Sequence, residues 1–157
     1  MKSKVKFSTF CTLMTWLVSG LLIAAIATAC LSHDRPAVGL VIAVAVFGSV
    51  LWYCPLCIEA SADALVIHRP LRNKVIPWKG ISSAERCLPS AAGIRVCGSG
   101  GYFGYWGYFS DIIIGSYFGY YGNRNQCILV KLKNGRQYVI SCQDPDGMTD
   151  AIETRIS

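Results

Sequence analysis

The chain has 157 residues, a net charge of +6 and an apolar content of 53%. A length of this order is typical of one domain, or of one small domain with an appended segment. The mean hydropathy of +0.41 is high for a soluble protein, and the nearly charge-free first third accounts for the excess. The composition therefore argues against a uniformly soluble chain and favours a membrane segment followed by a small globular domain.

Two long apolar runs open the chain. Residues 7–31 and residues 37–58 contain no charged side chain, and about 20 helical residues cross a hydrocarbon core of about 30 Å. The polar segment 32–36 between them, which holds Asp34, Arg35 and Pro36, is short enough for a tight turn. The sequence therefore predicts two antiparallel transmembrane helices within residues 1–60.

Charge predicts how this hairpin is oriented. Three lysines precede the first run, whereas Asp34 offsets Arg35 in the turn. The residues after the second run include His68, Arg69, Arg72, Lys74 and Lys79. Because cytoplasmic loops are enriched in Lys and Arg, we expect both termini in the cytoplasm. Trp16, Trp52 and Tyr53 then lie near the cytoplasmic interface, where aromatic rings are enriched.

A cleaved leader is the alternative for the first run. The lysines, the apolar run and Ala27-Thr28-Ala29 before Cys30 resemble a signal peptide or a poor lipobox. The apolar run is longer than the stretch of about 7–15 residues that signal peptides use. The second run places the following domain in the cytoplasm in either case, so cleavage between Ala29 and Cys30 stays open.

Short β-rich runs bounded by turn residues follow the membrane segment. The predicted strands lie at residues 64–69, 74–78, 80–86, 94–96, 126–132 and 136–141. The last two flank Asn134-Gly135, and Asn-Gly between β-rich runs is a strong hairpin signal. The sequence therefore predicts that these two strands form a β-hairpin.

The C-terminal segment changes to a helical period. Met148, Ile152 and Ile156 are spaced four residues apart, and Asp144 or Asp146 is placed to cap the start. One helix is predicted over residues 144–156, with its apolar stripe facing the strands. Residues 61–157 are therefore expected to form a mainly β domain, a partly open barrel or sandwich closed by that helix.

Residues 95–109 form an unusual segment of glycine and aromatic residues, Arg-Val-Cys-Gly-Ser-Gly-Gly-Tyr-Phe-Gly-Tyr-Trp-Gly-Tyr-Phe. A phosphate-cradling loop needs a lysine followed by Ser or Thr, which this segment lacks. A nucleic-acid platform needs a basic groove beside its rings, and the nearest basic residues are only Arg95 and Arg124. Nucleic acid is therefore not expected as a partner. Two interpretations stay open: rings that fill a small core between glycine turns, or rings exposed for contact.

This segment resembles the signature of small bacterial pleckstrin-homology (PH) domain proteins whose domain follows a two-helix membrane hairpin. The resemblance extends to Pro55 and to Ala-Leu-Val-Ile-His-Arg (64–69), Val-Ile-Pro-Trp-Lys-Gly-Ile (75–81) and Tyr-Val-Ile-Ser-Cys-Gln-Asp-Pro-Asp (138–146). It implies a strongly bent sheet of about seven strands capped by a C-terminal helix, in a protein of the bacterial inner membrane. It also implies an interaction module without enzymatic activity, and it brings no known ligand.

We therefore expect a membrane-anchored scaffold or adaptor that binds a protein partner, a second copy of itself or lipid headgroups. Aromatic residues are enriched at interfaces. The expected interaction surface comprises Arg95, Tyr102, Phe103, Tyr105, Trp106 and Tyr108. The expected headgroup contacts are Arg69, Arg72 and Lys74, a thin version of the basic cluster that eukaryotic relatives use.

The alternative is a small inner-membrane enzyme or a subunit of a transport complex. His33 and His68 are far apart and have no acidic partner within reach by spacing. No Ser-His-Asp, paired-carboxylate or His-Cys metal pattern appears, and the apolar runs hold no ionisable residue for an ion path. We therefore expect no catalytic residue, cofactor or metal.

Four of the eight cysteines lie in or beside the apolar runs, and the other four scatter singly through the rest of the chain: Cys11, Cys30, Cys54 and Cys57, then Cys87, Cys97, Cys127 and Cys142. In a cytoplasmic domain thiols stay reduced, and free cysteine behaves as a small hydrophobe. Cys54 and Cys57 have the spacing of a redox or zinc half-motif but lack a second pair. Buried, inert thiols are therefore predicted.

Overall fold

A computed structural model of the chain describes residues 1–31, 36–90 and 93–156, so the predicted turn at residues 32–35 lies outside the described residues. Three helices are present in this part of the chain: α1 (Thr9–Leu31), α2 (Pro36–Tyr53) and α3 (Pro145–Ile156). The strands are β1 (Lys2–Lys4), β2 (Cys57–Ala60), β3 (Ala64–His68), β4 (Lys74–Pro77), β5 (Ile81–Cys87), β6 (Ile94–Gly101), β7 (Gly104–Asp111), β8 (Gly115–Tyr121), β9 (Cys127–Leu132) and β10 (Gln137–Ser141).

The strands form two sheets, with the orders β1-β2-β3-β4 and β5-β9-β10-β8-β7-β6. The expectation of about seven strands in one bent sheet is therefore corrected to ten strands in two sheets over the described residues. The one-turn 3₁₀ helix Trp78–Gly80 follows Pro77 and separates β4 in the first sheet from β5 in the second. Proline has no backbone N–H to continue a ladder. The strands without a counterpart among the predicted ones are β1, β2, β7 and β8.

The second helix is shorter than the apolar run that contains it. It ends at Tyr53, whereas the predicted span continued to residue 58. Pro55 disfavours helical geometry at the residue before it, and from Cys57 the chain pairs with β3 as strand β2. The sheet therefore begins before residue 61, where the sequence analysis placed the start of the β domain.

Two local predictions are confirmed. Strands β9 and β10 pair antiparallel from Gln137↔Lys131 to Ser141↔Cys127, and Gly135 in the turn has a φ of +81°. Helix α3 is capped by Asp144, whose Oδ1 accepts a hydrogen bond from the N–H of Gly147 at 3.0 Å.

Strand β1 ties the start of the chain to the segment after α2. It pairs antiparallel with β2, with Lys2 opposite Glu59 and Lys4 opposite Cys57. The N-terminal ammonium of Met1 also donates to the carbonyl oxygen of Ala60 at 2.9 Å. Because β1 precedes α1 and β2 follows α2, the two ends of the helical pair are held side by side in one sheet.

The main core joins the two sheets and helix α3. It includes Ile58 and Ile67 from the first sheet, Val130 and Ile140 from the second, and Ile152 from α3, all fully buried. A second, smaller cluster contains Phe109, Tyr117, Tyr121, Leu129 and Val139 of the six-stranded sheet. The two clusters occupy opposite faces because neighbouring residues of a strand point to opposite sides.

Gly98 and Gly107 allow the β6–β7 hairpin to bend. They are paired across the two strands, with φ values of +128° and +122°. A Cβ on Gly98 would collide with the carbonyl oxygen of Trp106, and one on Gly107 with that of Cys97. Only glycine fits this close crossing of two backbones, because it alone adopts positive φ readily and has no side chain.

We predict that Gly98→Ala lowers the free energy of unfolding by about 3 kcal/mol or more, because backbone strain adds to a steric clash. Gly115→Ala is the matched control, since Gly115 also has positive φ (+85°) but open space around it. The control should lose about 1–2 kcal/mol from φ alone. Urea unfolding of both variants in detergent measures the difference, and equal losses would contradict this account of the bend.

A second prediction concerns the ion pairs across β1, β2 and β3. Glu59 Oε2 lies 2.8 Å from His68 Nε2 and 3.7 Å from Lys2 Nζ, and the hydrogen bond from His68 is the main cause that lowers the pKa of Glu59. A carboxylate with a lowered pKa stabilises the fold above its unfolded pKa, and this stabilisation is lost as pH falls through the folded pKa.

Unfolding midpoints of wild type and Glu59→Gln should therefore differ near pH 7 and converge towards pH 3. Asp150→Asn, on the exposed face of α3, serves as the charge-matched control and should keep the wild-type pH profile. A constant difference between wild type and Glu59→Gln at all pH values would exclude the ionised pair as the cause.

Candidate functional site

A basic cavity lies beside the end of helix α2. It has a volume of about 460 Å³ and is lined by Trp52, Arg69, Arg72, Asn73, Lys74 and Val75. The backbone N–H of Leu71 donates to the carbonyl oxygen of Leu51 at 3.2 Å, which fixes the β3–β4 turn against the helix. The three predicted headgroup contacts therefore come together, and Trp52 lies with them.

Hydrogen bonds and ring contacts position two of these three cations. Arg69 donates from Nε to the carbonyl oxygen of Arg72 at 2.7 Å and from Nη1 to the hydroxyl of Tyr120 at 3.3 Å. Burial raises the pKa of Tyr120 to about 12, although Arg69 opposes the shift. Lys74 Nζ lies 5.6 Å from the centroid of the Tyr138 ring. The lining of this cavity contains no carboxylate among the described residues, so its charge is positive.

The glycine and aromatic segment forms the β6–β7 hairpin, whose tip packs against α1. The N–H of Phe103 donates to Oγ1 of Thr15 at 3.0 Å, and the hydroxyl of Tyr102 lies 3.4 Å from Oγ of Ser19. Both aromatic rings are half-buried. They therefore join the domain to the helix instead of standing free.

The other aromatic residues of the segment divide between the two faces of the sheet. Trp106 is 8% exposed and stacks on Tyr53 at the end of α2, with ring centroids 5.4 Å apart. Tyr105 lies on the opposite face, stacked on Tyr121 at 4.8 Å. Tyr108 is 60% exposed. Because alternate residues point to opposite sides, the predicted interaction residues do not form one exposed patch.

The contact between Tyr53 and Trp106 was not predicted, although it fixes α2 to the six-stranded sheet. The sequence placed Tyr53 at the membrane interface and left Trp106 either in a core or on a contact surface. The two residues are 53 positions apart, so no local pattern connects them. Arg95 is exposed at the start of β6 and lines a second cavity.

His68 has an acidic partner that the sequence spacing did not reveal. Its Nε2 lies 2.8 Å from Oε2 of Glu59, because β2 and β3 pair with Cys57 opposite His68 and put Glu59 on the same face. In the described part of the chain, no side-chain hydrogen bond joins Cys57 to His68, and no group of three or more His, Cys, Asp or Glu residues can hold a metal ion. The geometry of this pair is that of a cross-strand hydrogen bond between an imidazole and a carboxylate.

The described cysteines are unpaired thiols, and most are shielded from solvent. Cys11, Cys54, Cys127 and Cys142 are buried, whereas Cys97 on β6 is exposed. Burial raises the pKa of Cys142 to about 11. The expectation of buried, inert thiols therefore holds for most described positions and is wrong for Cys97, because β6 is an edge strand of its sheet.

The helices before the domain are apolar and largely uncovered. Residues Thr9–Thr28 have a mean hydropathy of 2.1 and are long and apolar enough to cross a membrane, by length and composition alone. The apolar part of α2, Ala37–Tyr53, is shorter. One helix of the described chain therefore meets the requirements for a span, which is weak evidence for membrane association.

Comparison with known families gives one match. A family model described as "Bacterial PH domain" matches residues 57–156, which is β2 to the end of α3. No curated protein and no solved structure matches the chain. The match begins where β2 begins, after the two helices.

Proposed function

This chain belongs to the bacterial PH domain family, and we propose that it is a non-enzymatic interaction module anchored in the bacterial inner membrane by α1 and α2. The anchor occupies residues 1–60, apart from the short strands β1 and β2, and both termini lie in the cytoplasm. The domain that follows is held at the inner leaflet, where it binds lipid headgroups, a protein partner or a second copy of the chain.

The bare apolar surface of the helical pair carries this proposal. Only 6% of the most apolar part of α1 is buried within the protein, although a core helix of a soluble protein would be covered. The exposed side chains of α1 include Leu13, Trp16, Leu17, Leu21 and Ile23, and those of α2 include Val38, Leu40, Val41, Ile42 and Val44. Exposure of apolar surface to water costs about 25 cal/mol per Å², so lipid is the favourable surrounding.

The ladder between β1 and β2 supports a retained hairpin. It holds the chain before α1 and the chain after α2 on the same side, as a two-helix hairpin in a membrane requires. Cleavage between Ala29 and Cys30 would remove β1 together with α1. The lysines that precede α1 and the basic residues that follow α2 support the cytoplasm as this common side.

The basic cavity supports lipid headgroups as the partner. Arg69, Arg72 and Lys74 surround the point where α2 meets the domain, with Trp52 among them. Tryptophan is enriched at membrane interfaces, and a basic residue near an anionic leaflet contributes about 1 kcal/mol of attraction. Within the predicted interaction surface, Arg95 and Tyr108 stay accessible to a protein partner or a second copy.

We predict that the full-length protein stays in the membrane pellet after alkaline carbonate extraction. Leu17→Lys combined with Leu21→Lys should release or destabilise it, because a central lysine costs about 2.5–3.5 kcal/mol on insertion. Thr12→Lys, near the start of α1, is the control and should remain in the pellet. Release of the wild-type protein by carbonate would refute the anchor.

A further prediction separates headgroup binding from anchoring. In nanodiscs, the Arg72→Gln/Lys74→Gln double variant should lose most of the wild-type preference for phosphatidylglycerol over phosphatidylcholine, measured by protection of the β3–β4 turn from hydrogen exchange. Lys133→Gln/Arg136→Gln removes the same charge from the β9–β10 turn and should leave the preference unchanged. Equal protection in both lipids for the wild type would exclude headgroups as the partner of this cavity.

A further inference from the structure

A second cavity, with a volume of about 620 Å³, opens between the six-stranded sheet and the start of α1. Aromatic rings from the smaller core cluster form one side of it, and polar residues form its rim. The lining comprises Ser8, Phe10, Ser90, Gly93, Arg95, Gly100, Tyr105, Phe109, Tyr117, Tyr121, Asn123, Arg124 and Asn125. It shares no residue with the basic cavity beside Trp52.

The curl of the sheet creates this cavity. Strands β5 and β6 are the two edges of the sheet. The N–H of Ser90, which follows β5, nevertheless donates to Oδ2 of Asp111 at the end of β7, at 2.6 Å. The sheet therefore curves enough for the segment after β5 to reach the end of β7, and the cavity lies at the open end of this curved, barrel-like sheet. The mouth of a barrel is a common position for small-molecule sites.

Two stacked pairs of rings line the cavity. Tyr105 stacks on Tyr121 with centroids 4.8 Å apart, and Phe109 stacks on Tyr117 at 5.6 Å. The hydroxyls of Tyr117 and Tyr121 lie 3.5 Å apart and bond to each other. One hydroxyl donates its proton to the oxygen of the other. The proton of that other hydroxyl then has no acceptor among the described residues. Burial raises the pKa of both phenols, so both stay neutral donors.

Two arginines supply the positive charge of the rim. The guanidinium of Arg124 lies 5.3 Å from the centroid of the Tyr105 ring. Its Nε is buried and has no hydrogen-bond partner in the part of the chain that the structure describes. The guanidinium of Arg95 extends over Gly100, where a Cβ would lie 2.7 Å from Nη1. Neither arginine forms an ion pair within the described residues.

Carboxylates do not neutralise this charge at the cavity wall. The described lining contains two arginines and no acidic residue. Asp111 is close by, and burial acts to raise its pKa, but hydrogen bonds from the N–H groups of Ile113, Ser90 and Ile114 and, as the smallest cause, the charge of Arg124 outweigh burial and lower it. Asp111 therefore attracts Arg124, but its carboxylate accepts hydrogen bonds from backbone N–H groups and forms no ion pair with either arginine among the described residues. The guanidinium groups can therefore still donate to a ligand.

We infer that this cavity binds the phosphomonoester group of a small molecule or of a lipid headgroup, with Arg95 and Arg124 as the cationic partners. A phosphomonoester carries about −1.5 to −2 charges near pH 7, which matches two arginines, and guanidinium groups bind phosphate oxygens with paired hydrogen bonds. The tyrosine hydroxyl whose proton has no acceptor supplies a further hydrogen-bond donor. The aromatic rings accommodate an apolar portion of the ligand. The inference goes beyond the proposed function and does not depend on membrane anchoring.

Calorimetry on the full-length protein in a neutral detergent tests the site. Phenyl phosphate is the soluble probe, dihexanoylphosphatidic acid is the lipid probe, and benzenesulfonate is the singly charged control. We expect saturable 1:1 binding of at least one phosphate probe and much weaker binding of benzenesulfonate. Tighter binding of phosphatidic acid assigns the phosphate to a lipid, and tighter binding of phenyl phosphate assigns it to a soluble molecule.

Variants connect the binding to the two arginines. Arg95→Gln and Arg124→Gln should each weaken binding about 10- to 100-fold, because each removes hydrogen bonds to a charged group. Arg136→Gln, in the exposed β9–β10 turn, should have no effect, and Tyr121→Phe should weaken binding severalfold. Arg95 is exposed, so Arg95→Gln decides the question if Arg124→Gln disturbs the fold. Three outcomes would each overturn the inference: neither phosphate probe binds saturably, benzenesulfonate binds as tightly as the phosphate probes, or Arg95→Gln binds as tightly as wild type. None of these outcomes affects the carbonate test of anchoring.

Discussion

The pairing of β1 with β2 is the constraint on which the arrangement of the whole chain depends. Three residues before α1 are paired with the strand that follows α2, so a helical pair more than 40 residues long must return to its starting point. Loop closure of this length is entropically costly in a flexible chain. Two packed helices reduce that cost because they return the chain along a fixed path.

The same constraint joins the helices to the domain as one unit. Tyr53 at the end of α2 stacks on Trp106, and the β6–β7 tip packs on Thr15 and Ser19 of α1. A soluble domain on a flexible tether would lack such contacts. The PH-like domain of this protein therefore has a fixed orientation relative to its helices, and the fold sets which of its faces lie beside them.

Two cationic cavities accompany this arrangement, and each is built differently. Arg69, Arg72 and Lys74 belong to a turn beside Trp52 and are open to a surface. Arg95 and Arg124 lie at the mouth of a curled sheet, beside stacked rings that continue into its interior. The first arrangement suits many weak contacts with an anionic surface. The second suits one ligand with a defined shape, because pockets gain specificity from a few polar groups in an apolar surrounding.

Local patterns in the sequence determined the elements. The apolar runs gave two helices, Asn134-Gly135 gave the β9–β10 hairpin, and the four-residue spacing of Met148 and Ile152 gave α3. Each signal depends on residues that are neighbours in the chain. The resemblance between residues 95–109 and PH domain proteins also pointed to the family that the match to residues 57–156 establishes.

Only the tertiary structure decided which distant residues meet. In it, Lys2–Lys4 forms a strand of the first sheet, and His68 contacts Glu59. Tyr105 and Trp106 lie on opposite faces of the second sheet. Arg95 and Arg124 line the same cavity. The physical reason is that strand register and sheet curvature depend on pairings between distant segments, and the parallel pairing of β8 with β10 has no local signature. A sequence pattern reports the face on which a side chain lies, whereas the curl of the sheet determines what that face encloses.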